Sequence, residues 1–206
     1  MVPRRAVLVG VALTPLAARA AEVPLGHWPA GFVAARTGQG APSAWGLVDD
    51  DGGRVLAQTG TDGTDYRFPL AIFQGISAAN LAVTVRFKAV SGSVDRAAGI
   101  AIRLTDPDNY YVVRANALED NVNFYRVVKG SRREIHGASA KVASGVWHTL
   151  GLKAEGDRFT ISFDGKVLFV ATDRTFANAG KIALWTKADS VTHFAALSAD
   201  VLPAGP

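Results

Sequence analysis

Residues 106–127 concentrate polar side chains that could carry out chemistry or bind a ligand. These 22 residues include three Asp, one Glu, four Asn, two Arg and three Tyr, and apolar runs flank them on both sides. Paired carboxylates serve acid and base catalysis, whereas guanidinium and amide groups bind hydroxyls and anions. Asp and Asn also close turns, so a reaction centre, a ligand surface and simple turn chemistry are all open at this point.

The side chains around this segment alternate between apolar and polar positions. A period of two is typical of β-strands, whose successive side chains point to opposite faces of a sheet. We take the apolar sets as core: Ile100, Ile102 and Leu104; Tyr111, Val113 and Ala115; Val122, Phe124 and Val128; Ile182 and Leu184. The intervening residues then share one outer face, which gives the predicted ligand-binding residues: Arg86, Arg103, Tyr110, Arg114, Asn116, Asn123, Tyr125, Trp185 and Lys187.

This predicted face suits a sugar or an anion. Aromatic rings cover the apolar faces of sugar rings, and arginine binds carboxylates in a two-pronged geometry. The same residue types also occur on the solvated side of ordinary sheets, where cross-strand pairs contribute about 0.2–1 kcal/mol each. The acids and amides at the predicted strand ends are interpreted as turn residues: Asp106, Asp108, Asn109, Glu119, Asp120 and Asn121.

The common catalytic and metal-binding motifs are absent from the sequence. The chain has no cysteine, which excludes disulfides, a thiol nucleophile and thiolate metal sites. Its four histidines do not fall at zinc-site spacing, and neither a Gly-x-Ser-x-Gly turn nor a phosphate-binding glycine loop occurs. The acidic run that begins at Asp49 lacks the 12-residue calcium loop and indicates a hairpin tip. We therefore assign no catalytic residue and no metal ligand.

The elements that position these residues are predicted to be short antiparallel strands. About a dozen alternating runs follow one another, separated by turn sequences such as those at 106–109, 129–131 and 164–165. No amphipathic helical run lies between them. The sequence therefore predicts an all-β fold with two packed sheets, a sandwich or a barrel.

The N-terminus is predicted to be an export signal. Arg4 and Arg5 precede an apolar run, and small residues at Ala18 and Ala20 are typical of a cleavage site, so residues 1–20 would be removed. The arginine pair also loosely fits a twin-arginine signal. The whole chain has 22 basic and 18 acidic residues; without Arg4, Arg5 and Arg19, 19 basic residues face 18 acidic ones. We expect a single domain over residues 21–206, periplasmic or extracellular, with no nucleic-acid partner and no integral membrane association.

Residues 80–200 resemble the concanavalin A-like lectin and glucanase superfamily, in particular secreted bacterial jelly-roll domains similar to laminin-G-like and 3-keto-disaccharide hydrolase domains. The stretches that carry the resemblance are NLAVTVRFKAVSG, GIAIRLTDPDNYYVVRANALEDNVNFYRVVKG, GVWHTLGLKAEGDRFTISFDGKVLFVATDRTF and GKIALWTKADSVTHFAAL. The resemblance implies a two-sheet antiparallel jelly-roll sandwich that binds its ligand on a concave sheet. It also leaves a structural calcium ion open, because many relatives hold one; no other cofactor is expected.

The resemblance does not decide between binding and catalysis. The best known hydrolases of this superfamily carry a Glu-x-Asp-x-x-Glu strand, which this chain lacks because its four Glu are never spaced in that way. An acid pair from distant strands, such as Glu119 with Asp120 or Asp189, stays open. Our first hypothesis is an exported carbohydrate-binding module, with acidic glycans among its candidate ligands. The alternatives are a glycoside hydrolase or lyase with a nonstandard centre, and a structural envelope-interaction domain.

Overall fold

A computed structural model describes residues 21–50 and 52–203. The predicted export signal at residues 1–20 lies outside them. Together the described residues form one short 3-10 helix, Leu25–His27, and fifteen β-strands. In chain order the strands are β1 (Ala21–Glu22), β2 (Phe32–Gly38), β3 (Trp45–Asp50), β4 (Gly53–Gln58), β5 (Arg67–Ala78), β6 (Leu81–Ser91), β7 (Ala97–Asp106), β8 (Asn109–Asn116), β9 (Asn121–Val128), β10 (Ser131–Ser139), β11 (Trp147–Glu155), β12 (Arg158–Phe163), β13 (Lys166–Thr172), β14 (Gly180–Trp185) and β15 (Val191–Val201).

The strands form two antiparallel sheets that pack face to face. The front sheet has the order β10-β9-β8-β7-β14-β5-β2. The back sheet has the order β13-β12-β11-β6-β15-β4-β3, and β1 pairs with β15. Neighbouring strands in both sheets run antiparallel. The predicted all-β, two-sheet antiparallel sandwich is therefore confirmed.

The core between the sheets follows the period-two pattern of the sequence. On β8 and β9, Tyr111, Val113 and Phe124 point into the core, as predicted. The ring of Phe159 on β12 meets them from the back sheet, 4.7 Å from the ring centre of Tyr111 and 4.8 Å from that of Phe124. Each strand therefore buries every second side chain against the opposite sheet, and the remaining side chains face outward.

A second apolar layer covers the outer face of the front sheet. Its members are buried although they do not lie between the two sheets: Phe68, Leu70, Ile72, Ala97, Ala101, Leu104, Tyr110, Val112, Tyr125, Val127, Ala183 and Trp185. These residues are the outward members of the alternating runs on five strands, β5, β7, β8, β9 and β14. They can be buried only if the sheet curls over its own outer face.

Arg132 on the edge strand β10 shows how far the front sheet curls. Its guanidinium lies 4.6 Å from the ring centre of Tyr125 on β9 and 4.9 Å from that of Phe68 on β5. Strands β10 and β5 are five strand spacings apart, roughly 24 Å in a flat sheet, which no side chain could span. The outer face of the front sheet is therefore strongly concave.

Contacts between distant strands close one end of this concave face. The Tyr66 hydroxyl donates to the Gly130 carbonyl at 2.8 Å and accepts from the Arg132 amide at 2.6 Å. On the edge strand β2, the Thr37 hydroxyl contacts the Pro107 carbonyl at 2.5 Å and the Tyr110 hydroxyl at 2.7 Å. We refer to this region as the closed end.

None of the described helices is long and apolar enough to cross a membrane.

Candidate functional site

Seven of the nine predicted site residues lie on the concave face of the front sheet: Tyr110, Arg114, Asn116, Asn123, Tyr125, Trp185 and Lys187. Strands β8 and β9 keep a regular register, with Arg114 opposite Asn123 and Val112 opposite Tyr125. Residues directly opposite each other in a sheet share a face, so the predicted alternation holds on these two strands.

The prediction for Arg103 is wrong, because a bulge changes the alternation of β7. Arg103 has a positive φ of 49°, and the pairing register of β7 shifts on both sides of it. As a result Ile102 faces the core but Leu104, also predicted as core, faces the concave side. A bulge inserts one extra residue into a strand and reverses the faces beyond it.

Arg103 ties three loops together at the end of the sandwich. Its guanidinium donates to the carbonyls of Ala79 at 2.8 Å, Phe176 at 2.6 Å and Gly156 at 2.6 Å, and it lies 5.2 Å from the ring centre of Phe159 in the core. The backbone of Gly180 passes so close that a Cβ there would lie 2.4 Å from the Arg103 carbonyl carbon. Arg103 is therefore buried on the core side.

The prediction for Arg86 is also wrong, because its strand belongs to the other sheet. Strand β6 pairs with β11 and β15 in the back sheet, although it precedes β7 directly in the sequence. Its guanidinium lies 4.8 Å from the ring centre of Trp147 on β11. Arg86 is therefore on the opposite outer surface of the molecule from Arg114.

Tyr110 and Trp185 lie on the concave face but are fully buried in the closed end. The Trp185 indole donates to the Tyr110 hydroxyl at 3.2 Å, and burial raises the pKa of Tyr110. The Trp185 ring also packs against Phe68, with the ring centres 5.2 Å apart. Neither ring is available as a platform for a ligand, and both serve as a packed layer beneath the site.

The end of the concave face away from these closing contacts, which we call the open end, carries a group of interacting charged side chains around Arg114. The Arg114 guanidinium, only 2% exposed, donates to a Glu119 carboxylate oxygen at 2.7 Å and to the Asn121 side-chain oxygen at 2.8 Å. Asp95 lies 4.0 Å from the same guanidinium. Burial works against ionisation of Glu119, but the hydrogen bonds from Arg114 and Asn121 outweigh it and lower the pKa of Glu119.

Lys187 joins this group from the loop after β14. Its ammonium lies 3.0 Å from Asp95 and 2.5 Å from Asp65. Burial alone would lower the pKa of Lys187, but the two carboxylates outweigh it and raise that pKa. Burial raises the pKa of Asp95, although Lys187 and Arg114 oppose the rise. The Asn116 amide also donates to Asp95 at 3.1 Å.

The side wall of the site is formed by β9 and β10. The Asn123 amide donates to the Tyr125 hydroxyl and to a Glu134 carboxylate oxygen, each at 3.0 Å. Two guanidinium groups lie near the Tyr125 ring centre, that of Arg114 at 5.6 Å and that of Arg132 at 4.6 Å. We call the whole set the charged cluster: Asp65, Asp95, Arg114, Glu119, Asn121, Asn123, Arg132, Glu134 and Lys187.

Asp189 holds the loop that presents Asp95 to the charged cluster. Its carboxylate accepts the backbone amides of Ser93 at 2.6 Å, Val94 at 3.1 Å and Asp95 at 2.9 Å. These bonds outweigh the effect of burial and lower the pKa of Asp189 to about 2. Asp189 is therefore a positioning residue, and its oxygens are occupied by the protein backbone.

Asp120, the other acid considered as a partner of Glu119, has its own partners. It accepts from the Lys141 ammonium at 2.7 Å and from the Val142 amide at 3.0 Å.

Sequence reasoning missed Asp65, Asp95, Arg132 and Glu134 as site residues and interpreted Glu119 as a turn residue. The acids come from three loops and an edge strand, and only the curl of the front sheet brings them to Arg114.

Two buried donors in the charged cluster have no hydrogen-bond partner among the described residues: Arg114 Nε and Arg132 Nη1. Sugar hydroxyls both donate and accept, so they could pair with carboxylates and guanidinium groups alike. The described residues contain no group of three or more His, Cys, Asp or Glu side chains that could hold a metal ion.

Comparisons with known proteins identify the fold as a concanavalin A-like jelly-roll sandwich. The carbohydrate-binding module CBM66 from Bacillus subtilis is 21% identical and matches 76% of this chain and 92% of its own, with a TM-score of 0.64. The Bacillus licheniformis β-glucanase is 12% identical over 91% of this chain and 100% of its own, with a TM-score of 0.60. The galectin LEC-6 of Caenorhabditis elegans is 16% identical over 64% of this chain and 89% of its own, with a TM-score of 0.50.

No family model and no curated protein matches the sequence. The similarity to these three solved structures confirms, at the level of the fold, the resemblance drawn from the sequence.

Proposed function

We propose that this protein is an exported carbohydrate-binding module whose site is the charged cluster at the open end of the concave face. The observation that carries the proposal is Arg114, which is 2% exposed, held by Glu119 and Asn121, and stacked beside the Tyr125 ring. Burying a charged guanidinium and its carboxylate partner costs free energy unless their polar atoms form hydrogen bonds. The similarity in fold to a carbohydrate-binding module and a galectin supports a sugar as the ligand.

The charges of the site favour a neutral sugar over an acidic one. Three cations, Arg114, Arg132 and Lys187, face four carboxylates, Asp65, Asp95, Glu119 and Glu134. A ligand carboxylate would add a fifth negatively charged group to a site that already has one more carboxylate than cations. Hydroxyl groups can pair with every member of this set without adding charge.

The closed end favours a short saccharide or the end of a chain. The bridge from Tyr66 to Gly130 and the contact from Thr37 to Pro107 close the concave face at one end. The packed rings of Phe68, Tyr110 and Trp185 fill the space beneath. A polymer passing along the whole face would need this layer to open, whereas a terminal sugar would need only the charged cluster.

One observation supports a glycoside hydrolase as a second candidate. Burial raises the pKa of Asp95, while Arg114 and Asn121 lower that of Glu119, and carboxylates whose pKa values diverge are typical of an acid and base pair. Against this, both carboxylates are paired with cations and so act as acceptors. Release of product from the oligosaccharide that binds, lost in Glu119→Gln, would favour the hydrolase.

The binding proposal is tested with a glycan array followed by calorimetric titration of the neutral oligosaccharides retained. We expect Glu119→Gln to weaken binding by about tenfold to a hundredfold, because a charge-assisted hydrogen bond contributes about 1.5–3 kcal/mol when it is lost. The matched control is Glu155→Gln, an exposed acid at the end of β11 in the back sheet. The proposal would be overturned if the wild-type protein bound none of the neutral glycans, or if the two variants bound them with equal affinity.

A further inference from the structure

A second feature of the front sheet lies outside the charged cluster. Four basic side chains gather around the hairpin between β9 and β10, three from the hairpin itself and Arg36 from β2; we call them the hairpin patch: Arg36, Arg126, Lys129 and Arg133. Arg126 and Arg133 alternate along their strands with Tyr125 and Arg132. They therefore point to the other side of the sheet edge from the concave face.

Two adjoining concavities run along the hairpin patch and share Ser131. One has a volume of about 260 Å³ and is lined by Arg126, Val128 and Arg133. The other has a volume of about 590 Å³ and is lined by Arg36, Lys129, Tyr66 and Asp108, among others. Together they offer enough room for the rings of a short saccharide segment.

The basic side chains of the hairpin patch are poorly compensated. Arg126 lies directly opposite Arg133 across the strand pair, and like charges in that position are destabilising. Arg126 has one acidic partner, Asp173, at 2.5 Å. Among the described residues, the side chains of Lys129 and Arg133 form no ion pair within 4.0 Å, and that of Arg36 forms none either. An anionic ligand would relieve this repulsion.

The neighbouring groups favour an acidic glycan over a nucleic acid. Tyr66 is 41% exposed and lies beside the two cations of the larger concavity. Asp108 also lines that concavity, and its carboxylate could accept a hydroxyl from a sugar ring of the polysaccharide. Nucleic-acid affinity depends on an extended basic surface that neutralises many closely spaced phosphates, which four cations around an acid do not provide.

We propose that the hairpin patch is an independent site for acidic polysaccharides, with arginine and lysine side chains binding the carboxylate or sulfate groups. This proposal goes beyond the proposed function, because the hairpin patch lies on the other side of the sheet edge from the charged cluster and would bind a different class of glycan. The excess of carboxylates in the charged cluster and the excess of cations in the hairpin patch would then separate neutral from acidic ligands on one molecule.

The test measures binding of polygalacturonate, heparin, neutral dextran and single-stranded DNA at low and at physiological ionic strength. We expect the wild-type protein to bind polygalacturonate or heparin, more weakly as salt is added, because exposed ion pairs are screened. Lys129→Gln/Arg133→Gln should lose about fivefold in affinity, since exposed ion pairs contribute about 0.2–1 kcal/mol each. The matched control is Arg158→Gln/Lys166→Gln, which removes two exposed cations from the back sheet.

Each outcome decides the proposal. Equal losses in the two double variants would show a net-charge effect and overturn it, as would failure of the wild-type protein to bind either acidic polysaccharide. Binding of single-stranded DNA as tight as that of the polysaccharides would overturn the assignment to glycans. Lys129→Gln/Arg133→Gln should keep its affinity for neutral oligosaccharides, and Glu119→Gln should keep its affinity for polygalacturonate, so the two proposals fail separately.

Discussion

The two ends of the concave face are built from the same strands but have opposite characters. At the closed end Tyr110 and Trp185 are fully buried within an apolar layer. At the open end Arg114, two strand positions beyond Val112, is surrounded by carboxylates and amides. The comparison shows that alternation decides which face a side chain occupies, whereas the curl of the sheet decides which distant side chains it meets.

The largest expected effect comes from removing the main ring of the closed end. Trp185→Ala should lower the free energy of unfolding by about 3–5 kcal/mol, as large-to-small changes in packed cores do. Chemical denaturation monitored by circular dichroism measures the change. If stability is retained and only sugar binding is lost, Trp185 belongs to the ligand surface and the comparison between the two ends fails.

Asp189→Asn should have the next largest effect, because Asp189 holds the loop that supports the open end. Folding lowers its pKa from 3.8 to about 2, so the ionised form stabilises the folded state. That contribution, about 2 kcal/mol, is complete above about pH 5 and is lost as the pH falls through about 2. Urea denaturation of both proteins across this range should give a difference that disappears at the acid end; a constant difference would contradict the account.

Arg132 lies at the boundary between the two ends and should show a smaller effect. Its guanidinium contacts the rings of Phe68, Tyr125 and Trp185. Arg132→Lys keeps the charge but loses the planar stacking surface, and we expect a loss of about 1 kcal/mol in unfolding free energy. Thermal melting checks this value, with Arg158→Lys on the back sheet as the control. A loss no larger than in the control would show that Arg132 does not help to close the concave face.

Arg86→Gln should have the smallest effect on sugar binding. Arg86 lies on the back sheet beside Trp147, away from the charged cluster. We expect its affinity for neutral oligosaccharides to stay within about twofold of the wild-type value, which is the range of surface changes without a role in the site. A tenfold loss in calorimetric titration would place the ligand on the back sheet instead.

The sequence predicted the two-sheet fold and the faces of β8 and β9, because these strands alternate without interruption. It failed at Arg103, since a single left-handed residue reverses the pattern without any signal in residue type. It failed at Arg86 because consecutive strands β6 and β7 belong to different sheets, and alternation carries no information about pairing.

The composition of the site depends on contacts between distant residues. Asp65, Asp95 and Glu119 lie on three separate loops and meet Arg114 and Lys187 only in the folded chain. The burial of Trp185 has the same origin, since the curl of the front sheet brings β10 over β5. Local patterns therefore predicted the correct face of β8 and β9, whereas the partners of each side chain on that face required the three-dimensional structure.

The location of the sugar site is tested most directly by a nitrogen-15 NMR titration with a neutral oligosaccharide retained on the array. The account predicts saturable shifts of the side-chain amides of Asn121 and Asn123, with no shift of the Trp147 indole on the back sheet. Saturable shifts at Trp147 with both amides unchanged would contradict it.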